Sequence, residues 1–297
     1  MLYFTGDIHG NVIERFSYSR HPELRDLTED DVVFVLGDFG CPWFNPDFYF
    51  YDFWLKPGKE KEEHYKLNFL NEKPWTTIIV AGNHDNYDLI KKMPLVDFGG
   101  AEVCQMYYDR KIYDNIYYIE TPQFMEIQGQ KLLLVPGAES HDIDFLIEPD
   151  NVHSKDFLRY LQRQERKGEE LFYRVNHLTW WREEKIDRNK VINKLLKQAP
   201  HEVDYILTHD CPGGVLSHWK KPGTPDPFIP TESELVLEEL RQSVDYKMWL
   251  HGHLHHYIEA PSLYSIGLPC GGIWSLENIE GLKKHYDALN SLKKNND

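Results

Sequence analysis

Five times in this chain an apolar run ends in a tip built from aspartate, asparagine or histidine, and four of the five tips contain glycine. The tips are Gly6-Asp7-Ile8-His9-Gly10, Gly37-Asp38, Gly82-Asn83-His84-Asp85, Thr208-His209 and Gly252-His253-Leu254-His255. The runs before them, Leu2–Thr5, Val32–Leu36, Thr76–Val80, Val203–Leu207 and Tyr246–Leu250, read as strands. Val32–Leu36 is β-branched-rich and unbroken in apolar character, as a strand covered on both faces should be. In α/β sheets, loops and ligands gather at the carboxyl ends of such strands.

Length and charge narrow the class. The 297 residues suffice for a large core, arranged as one domain with insertions or as two. With 48 acidic against 33 basic residues the net charge is −15. That opposes non-specific binding to long nucleic acid or anionic membranes, and bound divalent cations would offset part of it. Cys41, Cys104, Cys211 and Cys270 are far apart, form no C-x-x-C, and read as reduced thiols in a chain too long to need disulfides. Cys211, two residues from His209, is either a buried loop thiol or a neighbour of a metal. The first strand starts at Leu2, which leaves no room for a leader segment, and no apolar run is long enough for a bilayer. The expectation is a cytoplasmic protein.

Between the tips, Asn11–Ser19 and Glu60–Asn71 are candidate helices. Asn115–Ile119, Gln123–Ile127 and Lys131–Val135 predict neighbouring antiparallel strands, with Gln128-Gly129-Gln130 as a hairpin turn. Thr231-Glu232-Ser233-Glu234 is a capping box that opens a helix to about Gln242. Ile279, Leu282, Tyr286 and Leu289 mark an amphipathic C-terminal helix that packs on the body. Two segments interrupt the pattern: Cys41–Lys59, rich in aromatics, Pro and Gly, and the charged Glu139–Asp187. The second has a helical part near Lys155–Arg166 and then Trp180-Trp181-Arg182-Glu183-Glu184. Both follow candidate strand ends, so each either overhangs the site or decorates the surface. Trp180 and Trp181 read as core rather than as a stacking platform.

The tips carry a coherent chemistry. Asp7 and His9 are two residues apart, and in a continued extended conformation both point to one side. Asp38 has two oxygens and can bridge two cations, Asn83 offers an amide oxygen, and His209, His253 and His255 complete the set. These donors suffice for two adjacent divalent ions. Mixed nitrogen and oxygen ligation suits Mn, Fe or Zn, whereas Ca or Mg alone would not call for so many imidazoles. Paired metals activate water for attack on phosphate esters. His84 directly follows Asn83 and projects differently, so it reads as a free imidazole that binds phosphate and protonates the leaving oxygen. Asp85 either orients His84 or caps the loop.

Turn chemistry alone explains any one tip, because tight turns need Gly, Asp and Asn. It does not explain why turn residues, histidine and strand ends coincide five times. His251 and His256 flank the last tip as neighbours of ligands or as solvent-facing groups, and His141, in Ser140-His141-Asp142, reads first as an ordinary polar residue, with reach to the substrate from the long insertion as the alternative. His21, His64, His153, His177, His201, His218 and His285 belong to no pattern. There is no P-loop, no G-x-S-x-G elbow and no H-E-x-x-H helix.

Taken in order, D-x-H, G-D, G-N-H-[DE], a later H and G-H-x-H resemble the signature of the calcineurin-like metallophosphoesterase superfamily, over residues 5–255. The resemblance implies an α/β fold of four layers, an α/β/β/α sandwich of two mixed β-sheets flanked by helices. The expected organisation is a single domain over 1–297, with insertions at about 41–59 and 139–187 and a C-terminal helix at about 279–292. The resemblance implies one ion on Asp7, His9, Asp38 and His255, and a second on Asp38, Asn83, His209 and His253. The general acid is His84, beside Asp85, and Mn is the metal expected to serve in assays. The implied reaction is hydrolysis of a phosphate ester by a hydroxide bridging the ions, with a phosphorylated small molecule, nucleotide or phosphoprotein as substrate. A phosphodiesterase or nuclease with the same centre is the alternative. A non-catalytic interaction module that keeps the fold is a further one, which the complete ligand set disfavours.

The chain departs from the protein Ser/Thr phosphatases of the superfamily, which read G-D-x-V-D-R-G and G-N-H-E. Here the second motif is Gly37-Asp38-Phe39-Gly40-Cys41 and the third ends in Asp85, so the phosphate-binding Arg is missing. The Trp-Trp-Arg-Glu-Glu stretch and Tyr246–His255 look similar to small bacterial and phage phosphoesterases. A guanidinium of the insertion (Arg159, Arg163, Arg166, Arg174 or Arg182) or His141 is expected to meet the phosphate instead. The opposing reading is a solvated helix whose arginines pair with Glu165, Glu169 and Glu170.

Overall fold

Two mixed sheets packed face to face organise this computed structural model, which describes residues 1–45, 58–141, 143–151, 154–168, 172–198, 202–218 and 229–294. In chain order the strands are β1 (Leu2–Thr5), β2 (Val32–Leu36), β3 (Thr76–Val80), β4 (Leu95–Phe98), β5 (Ala101–Tyr108), β6 (Lys111–Ile119), β7 (Gln123–Ile127) and β8 (Gln130–Val135). They continue with β9 (Phe145–Ile147), β10 (Tyr173–Val175), β11 (Glu202–Thr208), β12 (Asp245–His251), β13 (Ile258–Ala260), β14 (Ser265–Gly267) and β15 (Trp274–Ser275). The helices are α1 (Val12–Arg15), α2 (Lys59–Asn71), α3 (Tyr87–Ile90), α4 (Lys155–Lys167), α5 (Leu196–Gln198), α6 (Gly213–Leu216), α7 (Glu232–Arg241) and α8 (Leu276–Lys294).

One sheet has the order β15-β1-β2-β3-β6-β5-β4 and the other β13-β14-β12-β11-β8-β7. At the heart of the first, β1, β2, β3 and β6 are parallel. At the heart of the second, β8, β11, β12 and β14 are parallel. Alternation along each strand sorts the core into layers. Val32, Phe34 and Leu36 of β2 face the space between the sheets, together with Leu132, Leu134, Leu207, Met248 and Leu250 of the second sheet. Val33 and Val35 face the other way, into a core that includes Val12, Leu67, Leu70 and Ile90 of the helices. Leu133, Ile206 and Trp249 face Val236, Leu237 and Leu240 of α7. These three cores define the four layers, and burial on both faces explains the unbroken apolar strands.

Several local readings hold. Gln128 and Gly129 both have positive φ (52° and 74°), which makes a two-residue type I′ turn between β7 and β8. Thr231 and Glu234 form the reciprocal capping box at the start of α7. The C-terminal helix is longer than its apolar stripe, because Ser275 and Asn278 cap it one turn earlier. Helix α1 is shorter than Asn11–Ser19: Ser17 Oγ donates to the Glu14 carbonyl and accepts from the Arg20 N–H, bonds that compete with further helix.

One expectation is overturned. Asn115–Ile119 is not a neighbour of Gln123–Ile127. It is part of β6, which pairs with β3 and β5 in the first sheet, whereas β7 and β8 belong to the second. Residues 120–122 carry the chain from one sheet to the other. Packed sheets lie only about 10 Å apart, a span that roughly three extended residues cover. Closeness in sequence therefore did not require pairing.

Candidate metal centre

The carboxyl ends of β1, β2, β3, β11 and β12 bring all seven expected donor residues to one rim of the sandwich. Donor atoms of Asp7, His9, His255 and Cys270 lie within 4.8 Å of one another, and so do those of Asp38, His209 and His253. His9 Nε2 is 2.9 Å from His255 Nε2, 3.6 Å from Asp7 Oδ2 and 3.8 Å from Asp38 Oδ2. His209 Nε2 is 3.1 Å from Asp38 Oδ1 and 3.0 Å from Asn83 Oδ1. Asp38 thus turns one oxygen toward each group.

The backbone reaches this arrangement by a different route from the extended one expected for Asp7 and His9. His9, Asp38, His253 and His255 all adopt left-handed conformations, with φ of 49°, 49°, 64° and 59°. Such geometry is costly for side-chain-bearing residues and persists where the surroundings enforce it. Here the Ile8 and His9 N–H groups donate to the Asp38 carbonyl at 3.1 and 2.7 Å, and Gly10 N–H to that of Phe39 at 2.8 Å. These bonds lock the tips of β1 and β2 together. Gly37 has φ +87°, and a Cβ there would lie 2.0 Å from His209 Nδ1, so no larger residue fits.

Four of the seven donors, Asp7, His209, Asn83 and Asp38, are aimed by a second bond. His253 N–H donates to Asp7 Oδ1 at 2.9 Å, leaving Oδ2 for the site. His209 Nδ1 lies 2.7 Å from the Leu36 carbonyl oxygen, which only accepts, so Nδ1 carries the proton and Nε2 faces the site. Asn83 Nδ2 donates to Ser140 Oγ at 3.0 Å, and His84 N–H donates to Asp38 Oδ1 at 2.7 Å. Burial pushes the Asp38 carboxyl up, but His209, His84 and His9 outweigh it and hold the group well below the usual carboxylate range. For His209 burial pulls the imidazole down, and Asp38 reverses this and lifts it to about 10. Burial, aided by His209, holds His253 well below its ordinary value.

Asp7 Oδ2 and His253 Nε2 are buried without a hydrogen-bond partner, although Asp7 Oδ2 lies 3.0 Å from His255 Nε2. Unpartnered buried donor atoms are costly. Carboxylate, amide and imidazole lone pairs converge here, braced from outside, as ligands of a divalent transition metal are. The residues present therefore fit divalent cations.

The sequence matches the family model for calcineurin-like phosphoesterases over residues 2–257. The chain belongs to this family. It is a phosphoric ester hydrolase whose reaction depends on divalent metal. A search of the curated proteins finds no match. Among solved structures, the chain is similar to a protein of unknown function from Aquifex aeolicus, at 17% identity over 61% of this chain and 81% of that one, with a TM-score of 0.23. It is also similar to a putative 5′-nucleotidase from Staphylococcus aureus crystallised with alpha-ketoglutarate, at 14% identity over 92% of this chain, with a TM-score of 0.36. The chain spans 49% of that second structure's length.

In this phosphoesterase His84 stands outside both donor groups. Its ring centroid is 5.3 Å from that of His9 and 6.5 Å from that of Trp43. Asp85 is turned into the loops: Oδ1 accepts from Gly40 N–H at 2.9 Å and from the Tyr118 hydroxyl at 3.1 Å, and Oδ2 accepts from Gly82 N–H at 2.8 Å. Burial and then Asp38 raise this carboxyl to about 6. Of the two roles left open for Asp85, the geometry is that of a cap joining two tips.

The long insertion reaches the site through its ends. Ser140 N–H donates to Glu184 Oε1 at 3.0 Å, and Ser140 in turn holds Asn83. Trp181 is fully buried, donates to Asp88 Oδ2 at 3.0 Å, and packs edge-on against Trp43 at 5.2 Å. His141 places its ring 5.1 Å from that of His253. Arg159 pairs with Asp156 at 3.6 Å on the exposed side of α4. The side chain of Glu165, and Glu169 and Glu170 as a whole, lie outside the described residues, as do 46–57 of the first insertion, His153 and His201.

His251 is fully buried at the end of β12 rather than solvent-facing. Cys211 is buried beside Asp210 and Glu234, apart from both donor groups. Sequence reasoning passed over Ser140 as a brace for Asn83, although it follows a strand end just as the other tips do. It passed over Cys270 because β14 is too short to announce itself. Among the described residues no helix is long and apolar enough to cross a membrane.

Proposed function

We propose that the protein hydrolyses phosphate esters at a dinuclear centre. One ion is held by Asp7, His9, Asp38 and His255, and the other by Asp38, Asn83, His209 and His253. The observation that carries this reading is Asp38, whose Oδ2 faces His9 while Oδ1 faces His209. Divalent ions held by these residues would supply Lewis-acid chemistry, neutralising phosphate oxygens and lowering the pKa of a water.

The protein's own groups do the rest. His84, beside His9 but in neither donor group, donates the proton that the leaving oxygen needs. Asp85 keeps the Gly40 and Gly82 loops in register, so that Asp38 and His84 stay aligned. His141, 35% exposed at the rim and beside His253, binds the substrate phosphate in place of the arginine absent after Asp38. The substrate is a phosphorylated small molecule or nucleotide, since a net charge of −15 opposes long nucleic acid. The chain works as one domain, with 139–187 as an insertion that braces the site through Ser140 and Glu184.

The test is an assay of purified protein, loaded with Mn²⁺, against phosphomonoesters, phosphodiesters and nucleotides. Turnover of at least one class, abolished by chelation and restored by metal, is the expected result. Metal-loaded protein inert on every class would favour a non-catalytic module.

A further inference from the structure

Strand β14 runs parallel to β12, with Gly267 in register with His251. Its carboxyl end therefore opens on the same rim, and Cys270 follows it by three residues. The Cys270 sulfur and the donor atoms of Asp7, His9 and His255 lie within 4.8 Å of one another. Cys41, Cys104 and Cys211 are buried, and Cys270 alone is exposed.

The segment carrying Cys270 is held on both sides. Leu268 N–H donates to the His251 carbonyl at 2.8 Å. A Cβ on Gly6 would lie 2.4 Å from the Leu268 carbonyl oxygen and 3.2 Å from that of Pro269, so the two backbones touch just before Asp7. Beyond the cysteine, Thr5 Oγ1 donates to the Gly272 carbonyl at 2.8 Å. Bracing of this kind fixes where a ligand can sit. The buried Arg15 donates to Thr5 Oγ1 and, at 2.9 Å, to the Asp7 carbonyl. With Asp7, His9 and Cys270 it lines one cavity of about 180 Å³. Asp7 Oδ2, on a fully buried side chain and 3.0 Å from His255 Nε2, belongs to the same cluster.

We propose that Cys270 supplies a sulfur ligand to the ion held by Asp7, His9 and His255, and makes that half of the centre prefer a thiophilic metal. The inference rests on the metal centre proposed above. As the metal–sulfur bond forms, the thiol proton passes to solvent and no electron is transferred. With Cys270 added to Asp7, His9, Asp38 and His255, a set of carboxylates, two imidazoles and a thiolate favours Zn²⁺ or Fe²⁺ over Mn²⁺ more strongly than an oxygen and nitrogen set alone.

The test is Co²⁺ loading of metal-free full-length protein, read by absorption. The expected spectrum has visible ligand-field bands and a near-ultraviolet sulfur-to-cobalt charge-transfer band. Cys270→Ser should keep the first and lose the second, and its preference for Zn²⁺ over Mn²⁺ should fall about 10-fold or more, the scale of losing even an outer partner of a ligand. Ligand-field bands without a charge-transfer band in the wild type, or a band unchanged in Cys270→Ser, would overturn the role of Cys270 and leave the centre standing. No bound Co²⁺ at all would overturn the centre, and this proposal with it.

Discussion

The Asn83 amide nitrogen donates to the Ser140 hydroxyl at 3.0 Å, so the Asn83 side-chain oxygen faces His209. Ser140 belongs to the long insertion, yet it decides which end of the amide faces His209. Ser140→Ala should weaken one of the two metal equivalents by about 10–100-fold and leave the other near wild type. Isothermal titration of metal-free protein resolves the two steps. Identical isotherms for variant and wild type would remove Ser140 from this role.

Asp38 faces both donor groups, through Oδ2 to His9 and Oδ1 to His209. Asp38→Ala should therefore lose most of both ions, whereas a ligand to one ion would cost one. Elemental analysis of the purified variant reads this directly. Retention of near-stoichiometric metal would contradict a bridging carboxylate.

His84 touches Asp38 through its backbone N–H, while its ring stays outside the donor groups. His84→Ala should keep its metal content and lose about 10²–10⁴ in kcat on alkyl phosphates. Aryl phosphates with good leaving groups should suffer less, because their departing oxygen needs little protonation. Equal losses on both would argue against proton donation.

His141 sits beside His253 without joining either donor group. His141→Ala should raise KM by about 10-fold or more, the cost of a lost hydrogen bond to a charged group, with kcat and metal content nearly unchanged. Parallel substitutions of Arg159 and Arg163, exposed on α4, should leave KM alone. A KM change confined to the arginines would move substrate recognition onto the helix.

Glu184 is fully buried, and burial raises its carboxyl from the usual 4.5 to about 7, against the hydrogen bonds from Ser140. The unfolded chain loses this proton near pH 4.5 and the folded chain keeps it to about pH 7. The stability contributed by the protonated form is thus fully present below pH 4.5 and is lost as pH rises to 7. Glu184→Gln carries no such proton. Relative to wild type it should gain stability above pH 7, on the order of 3 kcal/mol at most, and gain none at pH 4. Urea unfolding at several pH values checks the slope, and an unchanged difference across that range would refute the assignment.

Much of the centre could be read from residues alone, because its chemistry is written locally. A strand ending in Gly-Asp or Gly-Asn-His carries both the turn and the donor, and the spacing of Asp7 to His9 or His253 to His255 needs no partner to be recognised. The hairpin at Gln128-Gly129 and the capping box at Thr231 are local for the same reason: their bonds close within a few residues.

What lay beyond the sequence depends on which surfaces meet. The assignment of β6 to one sheet and β7 to the other turns on side-chain packing between layers, and a three-residue link permits either outcome. The left-handed turns at His9 and Asp38 exist because the tips of β1 and β2 bond each other across 30 residues of chain. Ser140, Glu184 and Cys270 arrive at the site from segments distant in sequence from the residues they meet. Donor identity and order were thus determined by sequence, since strand ends encode them one at a time. The aim of each donor and the added thiol were decided only by tertiary structure, because hydrogen bonds and backbone contacts between remote segments set the positions.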